Sequence, residues 1–148
     1  MVNPQDRVET KRFFEEHERI EALLEEVDAA LGKRDRPTKE VIRLLSELPV
    51  HLEAHFAFEE AGRFFDEGML RAPHLRPKAD KILAEHAPLV EAAKSLAADA
   101  AANEQSAPDW WERVRDRFLA LKNDLSRHEH AENDLVQEAY VQDIGARD

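Results

Sequence analysis

The sequence predicts an all-α protein, and three observations carry this prediction. Only 4 of the 148 residues are glycine, 36% are charged, and Ala, Leu, Glu and Arg are abundant, as in helix-forming segments. Apolar residues recur at spacings of three and four, which is the period of an amphipathic helix. No segment alternates between apolar and polar residues as a half-buried strand does. We therefore expect long helices in a single domain that spans residues 1–148.

The first predicted helix begins near Asn3, a capping residue that is followed by proline at the first helical position. We expect Gly32 to end this helix, because glycine readily takes the left-handed conformation at a helix C-terminus. The apolar stripe of the helix, which is its expected core-facing side, consists of Phe13, His17, Ile20, Leu24, Val27 and Leu31.

The second predicted helix begins near Thr38 and is expected to finish around Gly68, before a turn that contains two prolines. Its apolar stripe carries two residues that are not apolar, His55 and Glu59. The remaining members of that stripe are Val41, Leu45, Leu48, Leu52 and Gly62.

The third predicted helix extends from about Leu75 to Ala100, with Pro88 as a local interruption. The fourth begins at the segment 106–109, which resembles a capping box, and its apolar stripe continues to Ala139. Because the links between the four helices are short, we expect an antiparallel up-down-up-down four-helix bundle.

Charge and composition exclude several classes of partner. The formal net charge of −11 argues against a nucleic acid or an anionic membrane, since both require a basic surface. The absence of cysteine excludes disulfide partners and thiolate metal sites. The N-terminus lacks an apolar signal core, and no segment reaches the length of a membrane span, so we expect a cytoplasmic protein.

Each of the four predicted helices places one histidine on its apolar stripe, and a glutamate follows two of these histidines one helical turn later. At about 1.5 Å of rise per residue, the short links bring the four histidines to similar heights in the interior. We expect these side chains to converge there, and the six candidate ligands are His17, His55, Glu59, His86, His128 and Glu132.

A metal is the simplest partner for this combination of side chains. Glutamate is almost never fully buried without a partner, and no lysine or arginine shares these stripes. Nitrogen and oxygen donors without sulfur suit iron, manganese or zinc. Zinc normally takes about four ligands in a closed tetrahedron, whereas six ligands with two carboxylates that can bridge fit a pair of six-coordinate ions. Two iron ions are therefore the first expectation, with manganese or zinc as alternatives.

The spacing of these six residues resembles that of the hemerythrin-like, HHE cation-binding domain family. The likeness covers nearly the whole chain, including the segments HFAFEE and HEHAENDLVQEAY. It implies a four-helix bundle around a non-haem di-iron centre, in which Glu59 and Glu132 bridge the ions and the four histidines are terminal ligands. Similar domains are linked to oxygen carriage or sensing, peroxide and nitric oxide chemistry, iron sensing, and repair of iron–sulfur centres.

Two departures from the oxygen-carrying members of that family affect the expected chemistry. Those members have a pair of histidines four residues apart on the third helix, whereas Val90 and Ile82 stand at the corresponding distances from His86. Their last helix uses H-x4-D, where this chain has H-x3-E. With four histidines, two bridging carboxylates and one solvent bridge, each octahedral iron keeps about one open position. This count argues against reversible oxygen carriage and favours access by peroxide, water or nitric oxide.

Three functions follow as hypotheses. The first is a di-iron protein that binds or reduces oxygen, peroxide or nitric oxide at the open iron positions. The second is an iron-handling or sensing module whose metal occupancy controls stability or partner binding without turnover. In the third, the histidines are structural and the acidic residues serve assembly. The sequence leaves open the oligomeric state and whether the protein is an enzyme.

The remaining candidates lie within four residues of a predicted ligand in the sequence. His51 precedes His55 by one turn, and we expect it to face inward behind the ligands and to bond one of them or a water. The alternative is that His51 is an additional ligand or a proton donor. Glu60 and Glu85 point about 100° away from their ligand neighbours, so we expect them to be surface charges, and His130 is expected at the surface too.

Overall fold

The computed structural model describes the chain over residues 4–61, 68–103 and 109–145, with side chains from residue 11 to residue 139 of these ranges. The described part is helical and contains no strand, which confirms the all-α prediction. A short helical turn covers residues 68–71, and a 3-10 turn covers Pro73–Leu75. The five α-helices are α1 (Pro4–Lys33), α2 (Thr38–Ala61), α3 (Arg76–Ala84), α4 (His86–Ala102) and α5 (Trp110–Gly145).

The long helices surround a common interior. Helix α1 packs against α2 and α5, and α4 packs against the same two helices from the other side. The short helix α3 lies against α4 and α5. Each long helix therefore has two long neighbours, and its apolar stripe is turned toward the space that they enclose.

The third predicted helix is divided into two. Helix α3 ends at Ala84, Glu85 forms a turn, and α4 begins at His86. Pro88 explains this position, because it has no amide hydrogen to donate to the carbonyl of Ala84, and its ring crowds that carbonyl. Glu85 keeps a right-handed conformation, with φ −78° and ψ −16°, and its carbonyl accepts from the Leu89 N–H at 3.2 Å. The interruption is therefore a single residue long.

Three of the expected helix boundaries fall on or beside residues that the structure leaves undescribed. The predicted start of the first helix at Asn3 lies outside the described residues, and α1 is described from Pro4. Helix α2 starts at Thr38 as predicted, but residues 62–67, which precede its expected end at Gly68, lie outside the described residues. The capping segment 106–108 of the last helix also lies outside them, and α5 is described from Trp110. Within the described ranges, none of the helices has an apolar stretch that could cross a membrane.

The apolar core consists of two clusters that are separated by polar residues. The larger cluster includes Ile20, Leu52 and Leu125, and the smaller one includes Phe13 and Leu135. Along α1 the chain passes from the smaller cluster to the larger one across His17. Along α5 it passes from the larger to the smaller across His128 and Glu132. A layer of histidine and glutamate thus lies between the two apolar clusters.

The C-terminus of α1 differs from the prediction for Gly32. The helix continues through Gly32 to Lys33, and Arg34 takes the left-handed conformation with φ 54°. The Arg34 N–H donates to the carbonyl of Ala30 at 3.0 Å, which closes the last turn. The left-handed residue that ends the helix is therefore two positions further on, and it is not a glycine.

We expect Gly32→Ala to stabilise the protein by about 0.5–1 kcal/mol, because alanine in a helix loses less conformational freedom on folding than glycine does. A Cβ atom at Gly32 would meet no described atom within 4 Å. Arg34→Gly should raise the free energy of unfolding by about 1 kcal/mol, because glycine takes the left-handed backbone conformation without the steric cost that a side chain imposes. Urea unfolding of both variants measures these changes, and a destabilised Gly32→Ala would contradict this description of the helix end.

Candidate metal centre

The six predicted ligands lie together between the two apolar clusters. Each exposes at most 5% of its surface, and among the described side chains they are the only polar or charged ones that are buried. They form two groups that share Glu132. The ligand atoms within each group all lie within 4.8 Å of one another, and the groups are His17, His55, Glu59 and Glu132, and His86, His128 and Glu132.

Two helices each contribute a histidine and a glutamate one turn apart. His55 Nε2 lies 2.5 Å from Glu59 Oε1 on α2, and His128 Nε2 lies 2.5 Å from Glu132 Oε1 on α5. Residues four apart are neighbours on a helix surface, so the spacing alone brings each pair together.

Glu132 directs its two oxygens to opposite sides of the site. Its Oε2 lies 2.9 Å from His17 Nε2, while its Oε1 lies 3.1 Å from His86 Nε2 and 2.5 Å from His128 Nε2. One oxygen therefore faces the pair formed by His17 and His55, and the other faces the pair formed by His86 and His128.

Glu59 repeats this arrangement from the opposite wall. Its Oε1 lies 2.5 Å from His55 Nε2 and 3.6 Å from His17 Nε2, and its Oε2 lies 3.0 Å from His86 Nε2. Two carboxylates that each present one oxygen to each histidine pair have the arrangement needed to bridge two cations.

Several of these atoms lack a hydrogen bond despite their short contacts. His55 Nε2, His128 Nε2 and both oxygens of Glu59 are buried, and no group in the described part of the chain meets them with hydrogen-bond geometry. Leaving such an atom unsatisfied costs about 1–3 kcal/mol. A cation among them would use the lone pairs of all four atoms, so the donor set fits a bound metal ion.

The outward-facing nitrogen of every site histidine meets an acceptor on a neighbouring helix or, for His128, in the turn before α4. This arrangement is typical of metal-binding histidines, because the acceptor fixes the proton on Nδ1 and leaves the Nε2 lone pair free. The pairs are His17 Nδ1 with Asn133 Oδ1 at 3.2 Å, His55 Nδ1 with Glu16 Oε2 at 2.6 Å, His86 Nδ1 with Glu60 Oε1 at 3.4 Å, and His128 Nδ1 with Glu85 Oε1 at 2.8 Å.

These four acceptors form a closed cycle, which we call the outer ring (Glu16, Glu60, Glu85 and Asn133). The acceptor on α1 serves the histidine of α2, and the acceptor on α2 serves that of α4. The acceptor in the turn before α4 serves α5, and the acceptor on α5 serves α1. Each acceptor is adjacent in sequence to a candidate ligand on its own helix. The orientation of each imidazole is thus fixed by the element that precedes its helix in this cycle.

The description of Glu60 and Glu85 as surface charges is therefore incomplete. Their side chains are partly exposed, at 54% and 44%, but each carboxylate also accepts from a site histidine. A residue adjacent to a ligand points about 100° away around its own helix, and in a bundle this direction leads to the neighbouring helix. Adjacency to a ligand was the available signal in the sequence.

His51 is exposed, so the expectation that it faces inward is wrong. Viewed down the axis of α2, His51 lies about 40° to one side of His55. The buried residues Leu52 and Phe56 lie to the other side of His55, so His51 is outside the buried stripe. His51 lines a cleft of about 60 Å³ together with His55 and Glu16. His130 is exposed as expected, and its ring contacts the Ser126 carbonyl at 2.7 Å.

The charges of the site depend on one another. Burial lowers the pKa of His17, His55 and His86, but contacts with Glu132 and Glu59 outweigh it and raise these pKa values to about 9, about 10 and about 9. Burial raises the pKa of Glu132, but the surrounding histidines outweigh it and hold that pKa well below its usual value. In the absence of metal these contacts favour the protonated imidazoles, and a metal ion must displace their protons.

The chain matches no protein-family model, no curated protein and no solved structure. The functional argument therefore rests on geometry. Buried histidine–glutamate groups in an all-helical protein could hold a metal ion.

We expect the free energy of unfolding of chelator-treated protein to fall between about pH 6.5 and about pH 10. The pKa values of His17, His55 and His86 are raised from 6.5 to between about 9 and about 10. Stabilisation by their protonated forms is complete below the unfolded pKa and is lost as the pH rises through the folded values. Urea unfolding across this range measures the effect, and a flat profile would contradict it.

Loss of one charged acceptor from the outer ring should weaken metal binding. Glu16→Gln removes the carboxylate that holds His55 Nδ1, and such substitutions typically cost about 10–100-fold in metal affinity. Chelator competition measures the change. The matched control is Glu15→Gln, since Glu15 is an exposed neighbour that pairs only with Lys11 at 3.7 Å among its described contacts. Equal affinity in the two variants would argue against a role for the outer ring.

Proposed function

We propose that this chain is a hemerythrin-like, non-haem di-iron protein that binds or reduces oxygen, peroxide or nitric oxide at open iron positions. The observation that carries the proposal is the sharing of both carboxylates between two histidine pairs. Glu59 and Glu132 each turn one oxygen toward His17 and His55. The other oxygen of Glu132 faces His86 and His128, and the other oxygen of Glu59 faces His86.

In this proposal His17 and His55 hold one ion, and His86 and His128 hold the other. Nitrogen and oxygen donors without sulfur favour iron, with manganese as the nearest substitute. A closed zinc site would use only about four of the six ligands and would leave buried donors unused. Bound iron would supply the redox chemistry.

The proposed architecture is an antiparallel up-down-up-down bundle in which α3 and α4 together form the third position. Only residues 34–37 join α1 to α2, and so short a link favours an antiparallel pair. The mutual packing of α1, α2, α4 and α5 around one interior is consistent with this arrangement.

Aromatic side chains shield the site from water and hold the imidazoles in place. Phe13 lies with its ring centroid 4.2 Å from that of His17, and Phe56 stacks on His86 at 3.9 Å with an interplanar angle of 2°. The outer ring keeps a proton on each Nδ1. In this proposal the residues of the chain bind the ions, orient the imidazoles and exclude water from the site. The proposed partner is a small diatomic ligand or peroxide, and neither a nucleic acid nor a membrane is proposed as a partner.

An iron-handling or sensing role without turnover is the second candidate, and one observation favours it. The six ligands join all the long helices at the layer that separates the two apolar clusters. Loss of metal from this layer would leave buried charges with incomplete partners, so occupancy would control the stability of the whole fold.

The test is the metal content and optical spectrum of purified protein. We expect about two irons per chain, because the six ligands together hold a carboxylate-bridged pair. We also expect spectral changes on adding azide, peroxide or nitric oxide, because these molecules would bind at the open iron positions. Glu132→Ala and His55→Ala should lose most of the iron, whereas the surface control His130→Ala should keep it.

The results separate the two candidates. Ligand-dependent spectra and peroxide turnover support the first. Strong unfolding on chelation, with about two irons but no response to oxidants, supports the second. Full metal content in His55→Ala, or one tetrahedral ion per chain, would overturn the di-iron proposal.

A further inference from the structure

A cleft of about 440 Å³ opens beside the junction of α3 and α4, and the site histidine His128 is part of its lining. Its walls come from α3, α4 and α5, and the buried ring of His128 lies at its inner end. We call it the junction cleft, and its lining residues are Lys81, Ala84, Glu85, Pro88, Leu89, Asp124, Arg127 and His128.

Residues of the helix interruption line this cleft. Ala84 is the last residue of α3, Glu85 is the turn, and Pro88 causes the break, and all three line the opening. Glu85 is held at the inner end because its carboxylate accepts from His128 Nδ1 at 2.8 Å. The same residue that divides the helix therefore borders an approach to the site.

The other described clefts that reach a site histidine are smaller. One of about 280 Å³ lies over His86 and is lined by three glutamates and Lys94, which gives it an acidic mouth. One of about 60 Å³ touches His55. Among the described clefts that a site histidine lines, the largest thus lies on the half of the site formed by His86 and His128.

The lining of the junction cleft suits an uncharged molecule. Lys81 and Arg127 balance Glu85 and Asp124, and Arg127 Nη2 donates to Asp124 Oδ1 at 2.6 Å. The remaining lining is apolar and consists of Ala84, Pro88 and Leu89, next to His128. Small uncharged molecules are only weakly hydrated in water, so they lose little hydration free energy when they enter such a cleft.

We propose that the junction cleft is the route by which an uncharged diatomic molecule or hydrogen peroxide reaches the site, on the side of His86 and His128. This inference rests on the proposed function, because it assigns the entry path of that site. The side of His17 and His55 is then the shielded half.

Three exposed helical alanines provide a matched set of variants. Ala84 lines the junction cleft, Ala87 lines the acidic cleft over His86, and Ala54 lines the small cleft at His55. A tryptophan at each position obstructs one cleft and leaves the ligands in place. Ala84→Trp is the test variant, and Ala87→Trp and Ala54→Trp are the controls.

The first measurement is the association rate of nitric oxide with the iron-loaded proteins, by stopped-flow absorbance. We expect Ala84→Trp to slow association by about tenfold or more, and the two controls to stay within about twofold of the unchanged protein. Iron content should be the same in all four. A normal rate in Ala84→Trp, or a slower rate in either control, would overturn the proposed route.

The second measurement uses protein loaded with diamagnetic zinc in place of iron, which keeps the site occupied, and it does not depend on the proposed redox function. Dissolved oxygen is paramagnetic, so it relaxes the methyl protons that it approaches, and Leu89 lies in the lining of the cleft. We expect strong relaxation of the Leu89 methyl signals by oxygen, and its loss in Ala84→Trp but not in Ala54→Trp. Equal relaxation of the Leu89 methyl signals in Ala84→Trp and Ala54→Trp would overturn the proposed route.

The two proposals fail separately. Absence of iron, or of any spectral response to nitric oxide, overturns the di-iron function, whereas the oxygen relaxation still reports on the cleft. If circular dichroism shows that Ala84→Trp does not fold, Ala84→Leu replaces it, because leucine is almost as good a helix former as alanine. Ala84→Leu should slow nitric oxide in the same direction by a smaller factor, and an unchanged rate would overturn the route.

Discussion

The burial of two carboxylates among four imidazoles is the constraint on which the rest of the structure depends. Glu59 and Glu132 expose 1% and 0% of their surface, and no lysine or arginine is buried among the described residues. An isolated buried carboxylate is too costly to persist, so histidines from all the long helices must converge on it. That requirement sets the relative height of the helices, and the two apolar clusters fill the space on either side.

The outer ring makes the site and the bundle interdependent. Each site histidine is oriented by an acceptor that a neighbouring helix or the turn before α4 supplies, so no helix holds its own imidazole without help. A shift of one helix would move one acceptor and one ligand together. The arrangement also differs around the ring, because His17 alone faces a neutral amide, from Asn133, whereas the other three histidines face carboxylates. The two halves of the site are therefore electrostatically unequal.

The helix break at Glu85 is locally unfavourable, and it lies next to the candidate metal site. Proline at position 88 interrupts a helix that would otherwise be continuous. Departures from ideal local structure tend to lie at functional sites, where the surrounding packing compensates for them. Here the departure both positions the Glu85 carboxylate against His128 and borders the largest described cleft that a site histidine lines.

The sequence by itself determined the helices and the six buried polar residues, because a period of 3.6 places His17, His86 and the two His–Glu pairs on the apolar stripes. It did not determine the division at Glu85, the exposure of His51, or the roles of Glu16 and Asn133. Those depend on how far each helix is rotated and on which neighbour it faces, and only packing fixes these quantities. The adjacent-residue contacts of the outer ring, and the sharing of each carboxylate between two histidine pairs, exist only between helices, so the tertiary structure alone decided them.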